Sequence, residues 1–325
     1  MNIWLAFIIL LVGFVFLVKG ADFFVDGASN IAKYFKISTL VIGLTVVAFG
    51  TSLPEAAVSI TSAIQNVDDV SLGNVIGSNL FNLLLILGVS ALVFPVSVSK
   101  QIVKRDLPYS ILGPILLIGM IYFFHESNNQ ALIRLEGIIL LLFFSLYMFI
   151  TMRGALKQPN LETYEQDESS TIAMSKSKAW VLTLIGLVGI VLGGIMVTNG
   201  AKTIALYFGM SEWLVGLTVV SLGTSLPELV TSVVAAVKKE NDIAVGNVVG
   251  SNIFNIFLVL GISAAISPIS LTSQVIFDII FLIIGSIALM GLIIFRKGKL
   301  GRIEGSLLTL MYIGYFIYIF MRDFR

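Results

Sequence analysis

The sequence predicts an all-α polytopic membrane protein with ten transmembrane helices, arranged as two inverted five-helix repeats. Its mean hydropathy is +1.01, and 57% of its 325 residues are hydrophobic whereas only 12% are charged. Soluble globular domains carry about 25% charged residues, so this composition indicates a membrane protein. Two further observations support the prediction: a series of apolar segments of membrane-spanning length, and a polar motif that recurs 173 residues later in the chain.

The apolar segments account for most of the chain. A helix needs about 20 apolar residues to cross the hydrocarbon core of a bilayer. The first segment has no basic residues before it and no small-residue cleavage site after it, so we interpret it as a membrane helix and not as a signal peptide. The ten segments lie at about 3–24, 39–65, 72–96, 107–125, 131–152, 180–205, 212–237, 244–267, 274–295 and 303–321.

A long polar segment, Lys157–Lys178, separates the first five apolar segments from the second five. It contains Pro159 and an acidic run, and we interpret it as a flexible linker. The chain then divides into a first repeat at 1–152, a linker at 153–179 and a second repeat at 180–325. Because five is an odd number, the second repeat enters the membrane from the opposite face. Similar repeats of this kind are related by an axis in the membrane plane.

The distribution of basic residues predicts the orientation of the helices. Of the 20 Lys and Arg residues, fifteen fall in alternate loops on one face, at 33–36, 100–105, 153–178, 238–239 and 296–302, and four fall on the other face. Cytoplasmic loops carry the excess of Lys and Arg. We therefore expect a multi-pass protein of the cell membrane, with the linker 153–179 in the cytoplasm and both termini outside.

The motif that recurs contains an acidic residue inside an apolar segment. Gly50–Glu55 (GTSLPE) is repeated as Gly223–Glu228. Pro54 has no backbone N–H and clashes with the carbonyl four residues earlier, so the helix must kink or break there. Carbonyl groups freed in a bilayer need partners, and hard cations seek oxygen ligands. A lone carboxylate inside a membrane is costly, so two at equivalent positions predict a shared cation site. The freed carbonyls would supply oxygen ligands there, as would the hydroxyls of Thr51, Ser52, Thr224 and Ser225.

A second polar stripe follows each copy of this motif. Gly73–Asn82 (GNVIGSNLFN) recurs as Gly246–Asn255 (GNVVGSNIFN). Helical spacing places Asn74, Ser78 and Asn82 on one face, as it places Asn247, Ser251 and Asn255. Such a stripe either forms hydrogen bonds that hold neighbouring helices together, which we call interhelical glue, or lines a path for cations. Its recurrence in the second half favours the path. Asn79 and Asn252 point elsewhere and are interpreted as glue.

Composition also excludes several kinds of site. The chain has no Cys, which excludes disulfides, thiol catalysis and Cys-ligated zinc. Its one histidine, His125, lies in a short polar stretch and is interpreted as a solvated loop residue. The net charge of +1 gives no indication of nucleic-acid binding. Lys19, Asp22 and Asp26, near the end of the first segment, are interpreted as an interfacial cluster. No enzymatic chemistry, cofactor or obligate protein partner is expected.

The two motif blocks resemble the alpha repeats of the cation/calcium antiporter superfamily, especially its prokaryotic sodium/calcium exchangers. The resemblance is close over 43–88 and 216–261. It implies a central Ca²⁺ bound by Glu55 and Glu228 with the backbone carbonyls of Thr51 and Thr224. It also implies flanking Na⁺ sites that use Ser52 with Ser251, Ser225 with Ser78, and the carbonyls of Ala48 and Ser221, with Asn82 and Asn255 completing the middle. Some prokaryotic members have Asp at the position of Asn255.

The expected function is therefore secondary antiport of Na⁺ for Ca²⁺ by alternating access, with a shared site at the membrane midplane. The transported ions Ca²⁺ and Na⁺ and the lipid bilayer are the expected partners. Alternatives within the transporter class are H⁺ coupling, a K⁺ requirement or Mn²⁺ in place of Ca²⁺. A cation channel, in which the same oxygens form a filter, is the alternative from another class.

The orientation can be tested by cysteine labelling, because the chain has no native Cys. Ser169→Cys, in the linker, is expected to resist an impermeant thiol reagent on intact cells and to react after permeabilisation, since the excess of basic residues places the linker inside. Asn128→Cys, on the opposite face, is the positive control. Reaction of the Ser169→Cys variant on intact cells would contradict the assigned orientation.

Overall fold

The fold was analysed in a computed structural model, which describes residues 2–65, 68–124, 131–157, 174–209, 221–270 and 273–323. These residues form helices and four two-residue strands. Seven of the described helices are long and apolar enough to cross a membrane, or eight if one bent pair counts as a single span. The prediction of a predominantly helical, multi-pass membrane protein is confirmed.

The first half begins with α1, a helix of 33 residues, and continues with a bent pair, α2 and α3, whose axes differ by 50°. The next helix, α4, passes through a π-helical turn at Phe81–Ile86, and α5 begins with another at Ile102–Asp106. The bounds are α1 Ile3–Phe35, α2 Thr39–Thr51, α3 Leu53–Ile64, α4 Asp68–Leu80 with Phe81–Ile86 and Leu87–Val93, β1 Val96–Ser97, α5 Ile102–Asp106 with Leu107–Phe124, β2 Ala131–Leu132, and α6 Arg134–Lys157.

The second half repeats this order. The long helix α7 corresponds to α1, the short α8 and α9 correspond to the bent pair, and α10 contains the matching π-helical turn at Phe254–Leu260. The bounds are α7 Lys176–Tyr207, α8 Ser221–Thr224, α9 Leu226–Val237, α10 Asn241–Ile253 with Phe254–Leu260 and Gly261–Ile266, β3 Ile269–Ser270, α11 Ser273–Phe295, β4 Lys299–Leu300, and α12 Arg302–Asp323.

Two of the ten expected spans fall outside the apolar helices counted above. The fourth corresponds to Leu107–Phe124 in α5. The seventh, expected at 212–237, is described only from residue 221 onward, as α8 and the short apolar helix Leu226–Val237. Residues 158–173 of the predicted linker and the loop that contains His125 also lie outside the described residues, whereas 153–157 belong to α6 and 176–179 to α7.

The two long helices α1 and α7 pack backbone against backbone. A Cβ atom at Gly20 would lie 2.7 Å from the backbone nitrogen of Ile190, and a Cβ atom at Gly193 would lie 2.6 Å from that of Leu17. Glycine removes the side chain that would hold membrane helices apart. Gly13, Gly20 and Gly27 are repeated at the 173-residue offset as Gly186, Gly193 and Gly200. The repeat therefore extends beyond the motif blocks.

The last helix of each half packs against the other half. A Cβ atom at Gly137 of α6 would lie 2.7 Å from the carbonyl oxygen of Gly261 in α10, and one at Gly305 of α12 would lie 2.6 Å from that of Gly88 in α4. The strands cross between halves in the same way, because β1 pairs with β4 and β2 pairs with β3. This exchange brings both copies of the motif into one core.

An ion-pair cluster joins α1 to the end of α9. Lys238 Nζ lies 2.6 Å from both Asp22 Oδ1 and Asp26 Oδ1. Partial burial by itself would lower the pKa of Lys238, but the two carboxylates outweigh it and the net pKa is raised. Two members of the predicted cluster of Lys19, Asp22 and Asp26 are therefore paired with a cation from the second half of the chain.

The close packing of α1 and α7 predicts the effect of adding a side chain there. Gly20→Val is expected to lower the free energy of unfolding by about 1–3 kcal/mol, since the new side chain meets backbone atoms that cannot move aside. Thermal unfolding in detergent measures the loss. Gly314→Val is the control, because no described atom lies within 4 Å of a Cβ at Gly314 on the exposed face of α12. Equal unfolding temperatures for the two variants would contradict the packing.

Candidate cation site

Two helix breaks create the candidate site. Helix α2 ends at Thr51 and α3 begins at Leu53, and Ser52 between them has φ −82° and ψ 5°. Ser225 has nearly the same angles, φ −92° and ψ 4°, between α8 and α9. In both copies the proline occupies the first turn of the new helix, where its missing N–H costs least. The predicted break after Gly50 is confirmed, and it falls at the serine.

Each break delivers a carboxylate to the N-terminus of a helix. Glu55 lies in the first turn of α3 and Glu228 lies in the first turn of α9. The partial positive charge at a helix N-terminus stabilises a carboxylate there. Both side chains are only 1% exposed, so they are shielded from bulk water. Two acidic groups are therefore held within the core of an otherwise apolar protein.

The serines at the two breaks bind the carboxylates crosswise. Ser225 Oγ donates to Glu55 Oε1 at 2.8 Å, and Ser52 Oγ donates to Glu228 Oε1 at 3.0 Å. Ser225 Oγ also lies 3.1 Å from Ser78 Oγ. Because a hydroxyl has a single proton, Ser225 accepts from Ser78 while it donates to the carboxylate. The predicted residues Ser52, Ser225 and Ser78 thus meet Glu55 and Glu228 in one place.

Asn74 and Asn247 secure the broken helices instead of lining a path. Asn74 Nδ2 donates to the Glu55 carbonyl oxygen at 3.1 Å and to Ser59 Oγ at 2.8 Å. The equivalent amide of Asn247 donates to the Glu228 carbonyl oxygen at 3.4 Å and to Ser232 Oγ at 2.9 Å.

The oxygens of these two amides are engaged as well. Thr51 Oγ1 donates to Asn247 Oδ1 at 3.0 Å, and Thr224 Oγ1 lies 3.4 Å from Asn74 Oδ1. The prediction that Asn74 and Asn247 line a path is therefore wrong, because both ends of each amide are hydrogen-bonded within the protein. A hydroxyl that donates its proton keeps its lone pairs, so the predicted contribution of the Thr51 and Thr224 hydroxyl oxygens stays a prediction, as does that of their backbone carbonyls.

Four asparagines form a hydrogen-bonded network between α4 and α10, with Asn79 and Asn252 at its centre. Asn79 Nδ2 donates to the Asn252 carbonyl oxygen and Asn252 Nδ2 donates to the Asn79 carbonyl oxygen, each at 3.2 Å. Asn82 Nδ2 donates to Asn252 Oδ1 at 3.0 Å, and Asn255 Nδ2 donates to Asn79 Oδ1 at 3.1 Å. The amide nitrogens of Asn82 and Asn255 are thus bound, whereas their amide oxygens are not.

Buried oxygens remain without a hydrogen-bond partner among the described residues. Those at the candidate site include Glu55 Oε2, Glu228 Oε2, Asn82 Oδ1 and Asn255 Oδ1, whereas others, such as Asn30 Oδ1 and Asp106 Oδ2, lie elsewhere in the described residues. Ser251 Oγ is also without a hydrogen bond, although it lies beside the Glu228 carboxylate. A buried acceptor that lacks a donor costs about 1–3 kcal/mol, and more when it is charged. Two carboxylate oxygens and two amide oxygens can be satisfied together by a cation.

The two backbone positions implied by the resemblance differ from each other. The Ala48 carbonyl oxygen accepts from the Ser52 N–H at 3.0 Å, and a second lone pair is left for another partner. In the second copy the Ser225 N–H donates instead to the Leu222 carbonyl oxygen at 3.2 Å. Ser221, the first residue of α8, is described in its backbone only.

The donor set at the site is of the kind that hard cations accept. Within the described ranges, no group of three or more His, Cys, Asp or Glu residues could hold a metal ion. The site instead combines two carboxylates with neutral amide, hydroxyl and carbonyl oxygens. Hard cations such as Ca²⁺ accept ligands of this kind, and few charges at the site permit release as well as binding.

Comparison with known proteins identifies the family of the chain. The family model described as "Sodium/calcium exchanger protein" matches residues 5–153 and 178–321. The chain is 38% identical to the putative antiporter CaxA of Alkalimonas amylolytica, over 95% of this chain and 97% of that protein. It is 35% identical to the sodium/calcium exchanger MaX1 of Methanosarcina acetivorans, over 97% of this chain and 98% of that protein.

The fold is also similar to that of a solved exchanger. Superposition on the sodium-calcium exchanger NCX_Mj, soaked with 2.5 mM Na⁺ and 0.1 mM Ca²⁺, gives a TM-score of 0.81 at 32% identity, and it covers 95% of this chain and 96% of that one. With a family model that matches both halves and relatives aligned over nearly the whole length, the chain belongs to the sodium/calcium exchanger protein family.

Proposed function

We propose that this protein exchanges Na⁺ for Ca²⁺ across the membrane, with both ions competing for the candidate site. The single observation that carries the proposal is the set of buried oxygens without donors, two from carboxylates and two from amides. Two carboxylates are neutralised by one divalent ion or by more than one monovalent ion. If the site must be occupied by either Na⁺ or Ca²⁺ whenever it changes the face to which it opens, then movement of one ion in one direction requires movement of the other ion in the opposite direction.

The proposed ligands combine the residues around the site with those that the resemblance implies. The carboxylates of Glu55 and Glu228, with the backbone carbonyls of Thr51 and Thr224, bind the central Ca²⁺. Neutral oxygens on either side bind Na⁺. This flanking set comprises the side chains of Ser52, Ser225, Ser78 and Ser251 and the backbone carbonyls of Ala48 and Ser221. The amide oxygens of Asn82 and Asn255 complete the middle of the site beside the Ca²⁺.

Alternating access is proposed on the basis of symmetry. The contacts at the site occur in reciprocal pairs, such as Ser52 with Glu228 and Ser225 with Glu55. Reciprocal contacts arise when two equivalent segments meet across a two-fold axis. If the two halves are inverted repeats of five membrane helices, this axis lies in the membrane plane and the site lies at the midplane. Movement about a fixed midplane site then opens it to either face in turn.

The proposed location is the cell membrane, with the linker 153–179 in the cytoplasm and both termini outside. The uneven distribution of Lys and Arg supports this orientation. With an inward Na⁺ gradient, the direction of net transport is Ca²⁺ export. The proposed units are the two repeats, 1–152 and 180–325, which contribute one motif copy each to the shared core.

Transport in vesicles tests the proposal. Na⁺-loaded vesicles are expected to take up ⁴⁵Ca²⁺ when external Na⁺ is low, and uptake should stop when internal Na⁺ is replaced by choline. Varying K⁺ and pH in turn separates Na⁺ coupling from a K⁺ requirement or from H⁺ coupling. Uptake that needs no counter-ion would indicate a channel and contradict the proposal.

Removal of either carboxylate is expected to abolish exchange. Glu55→Gln and Glu228→Gln should each reduce ⁴⁵Ca²⁺ transport to near background, because a Ca²⁺ site weakens strongly when ligand charge is lost. Glu304→Gln is the control, since Glu304 is a buried carboxylate that caps α12 and pairs with Arg296 away from the site. Exchange at the wild-type level in either site variant, or equal loss in the control, would overturn the assignment.

The serines are expected to affect Na⁺ more than Ca²⁺. Ser78→Ala or Ser251→Ala removes one neutral oxygen, which matters more to a monovalent ion than to a divalent ion held mainly by two carboxylates. Each variant should therefore shift Na⁺ inhibition of Ca²⁺ binding further than it shifts Ca²⁺ affinity. Ser90→Ala and Ser263→Ala are matched controls, because these serines are also fully buried in α4 and α10. Unchanged Na⁺ competition in both site variants would return Ser78 and Ser251 to a packing role.

A further inference from the structure

We propose that Asn79 and Asn252 are positioning residues, which fix the orientation of the Asn82 and Asn255 amides so that oxygen faces the cation. The inference rests on the proposed function, since it assigns a role at the same site. The interpretation of Asn79 and Asn252 as residues that hold two helices together is confirmed by their hydrogen bonds between α4 and α10, and the positioning role adds to it. The two ends of an asparagine amide have almost the same shape but opposite hydrogen-bonding character. A cation site built from amides therefore requires something that decides which end points inward.

A backbone carbonyl makes that decision. The Asn252 carbonyl oxygen lies 3.2 Å from the amide of Asn79. A carbonyl can only accept, so the amide nitrogen of Asn79 must face it. The Asn79 amide oxygen is then directed to the other side, where it lies 3.1 Å from the amide of Asn255. Since that oxygen can only accept, Asn255 must present its nitrogen to Asn79, and its own oxygen is turned away.

The same chain of constraints runs in the opposite direction. The Asn79 carbonyl oxygen fixes the amide of Asn252, and the Asn252 amide oxygen fixes the amide of Asn82 at 3.0 Å. Each backbone carbonyl thus sets the orientation of a ligand amide through one intermediate asparagine. The two oxygens that remain, Asn82 Oδ1 and Asn255 Oδ1, are those without a partner among the described residues.

Reversal of either ligand amide carries a double penalty. It would place the Asn255 oxygen against the Asn79 oxygen, with no proton between them, and would direct an NH₂ group at the cation. All four asparagines are at most 1% exposed, so water cannot compensate. Asn82 and Asn255 each lie at the start of a π-helical turn, in α4 and α10 respectively. Such turns are frequent at functional sites. This network of four asparagines therefore directs the amide oxygens of Asn82 and Asn255 toward the cation position before any ion binds.

A double-mutant cycle on the purified full-length protein tests this role. Asn79→Leu leaves the buried amide nitrogen of Asn255 without an acceptor when its oxygen binds Ca²⁺, and a buried unmet donor costs about 1–3 kcal/mol. Equilibrium ⁴⁵Ca²⁺ binding should weaken by about 10- to 100-fold. If Asn79 acts through Asn255, then Asn79→Leu combined with Asn255→Ala should bind no more weakly than Asn255→Ala alone.

A structural role and a positioning role give different cycles. The matched control pairs Asn79→Leu with Asn82→Ala, whose amide is held by Asn252 instead, and the two losses should then be close to additive. Asn252→Leu with Asn82→Ala provides a second cycle in case Asn79→Leu does not fold. Additive losses for Asn79 with Asn255 and for Asn252 with Asn82 would overturn the positioning role while leaving the exchanger proposal intact. Absence of Ca²⁺ binding in the wild-type protein would overturn both.

Discussion

The burial of two carboxylates inside an apolar protein is the constraint on which the rest of the structure depends. Glu55 and Glu228 are almost completely buried, and an uncompensated charge at this depth is costly. The helix breaks at Ser52 and Ser225 place both groups at helix N-termini, and the crossed serine hydroxyls satisfy one oxygen of each. The other oxygens have no donor among the described residues, so the remaining compensation is assigned to the transported cation.

Interlocking of the two halves makes this arrangement possible. Each carboxylate receives its serine from the other copy of the motif. Each ligand amide is oriented by a backbone carbonyl of its own half through an asparagine of the opposite half. The final helix of each half covers the third helical span of the other, with glycines at the points of contact. In the proposed site each motif copy supplies only part of the ligands, so the proposed function requires both copies of the sequence.

Much of the site could be predicted because the repeat shows which residues matter, and proline chemistry shows where the helix breaks. Side-chain partners could not be predicted, since they depend on how the halves cross. Asn74 fits a path-lining stripe by spacing, yet it binds the Glu55 carbonyl. Asn79 lies off that face, yet it orients a ligand. Asp22 and Asp26 pair with a lysine more than two hundred residues away, not with nearby Lys19. The glycines at which α1 and α7 pack together recur in the sequence at the same 173-residue offset, so they extend the repeat.

The central claim is that Na⁺ and Ca²⁺ compete for one set of buried oxygens. Equilibrium ⁴⁵Ca²⁺ binding to the purified protein, measured over a series of Na⁺ concentrations, tests it most directly. The claim predicts that Na⁺ raises the apparent Kd for Ca²⁺ progressively, while the number of Ca²⁺ bound per chain at saturation stays constant. A fall in that number at fixed Kd, or Ca²⁺ binding that is indifferent to Na⁺, would contradict a shared site.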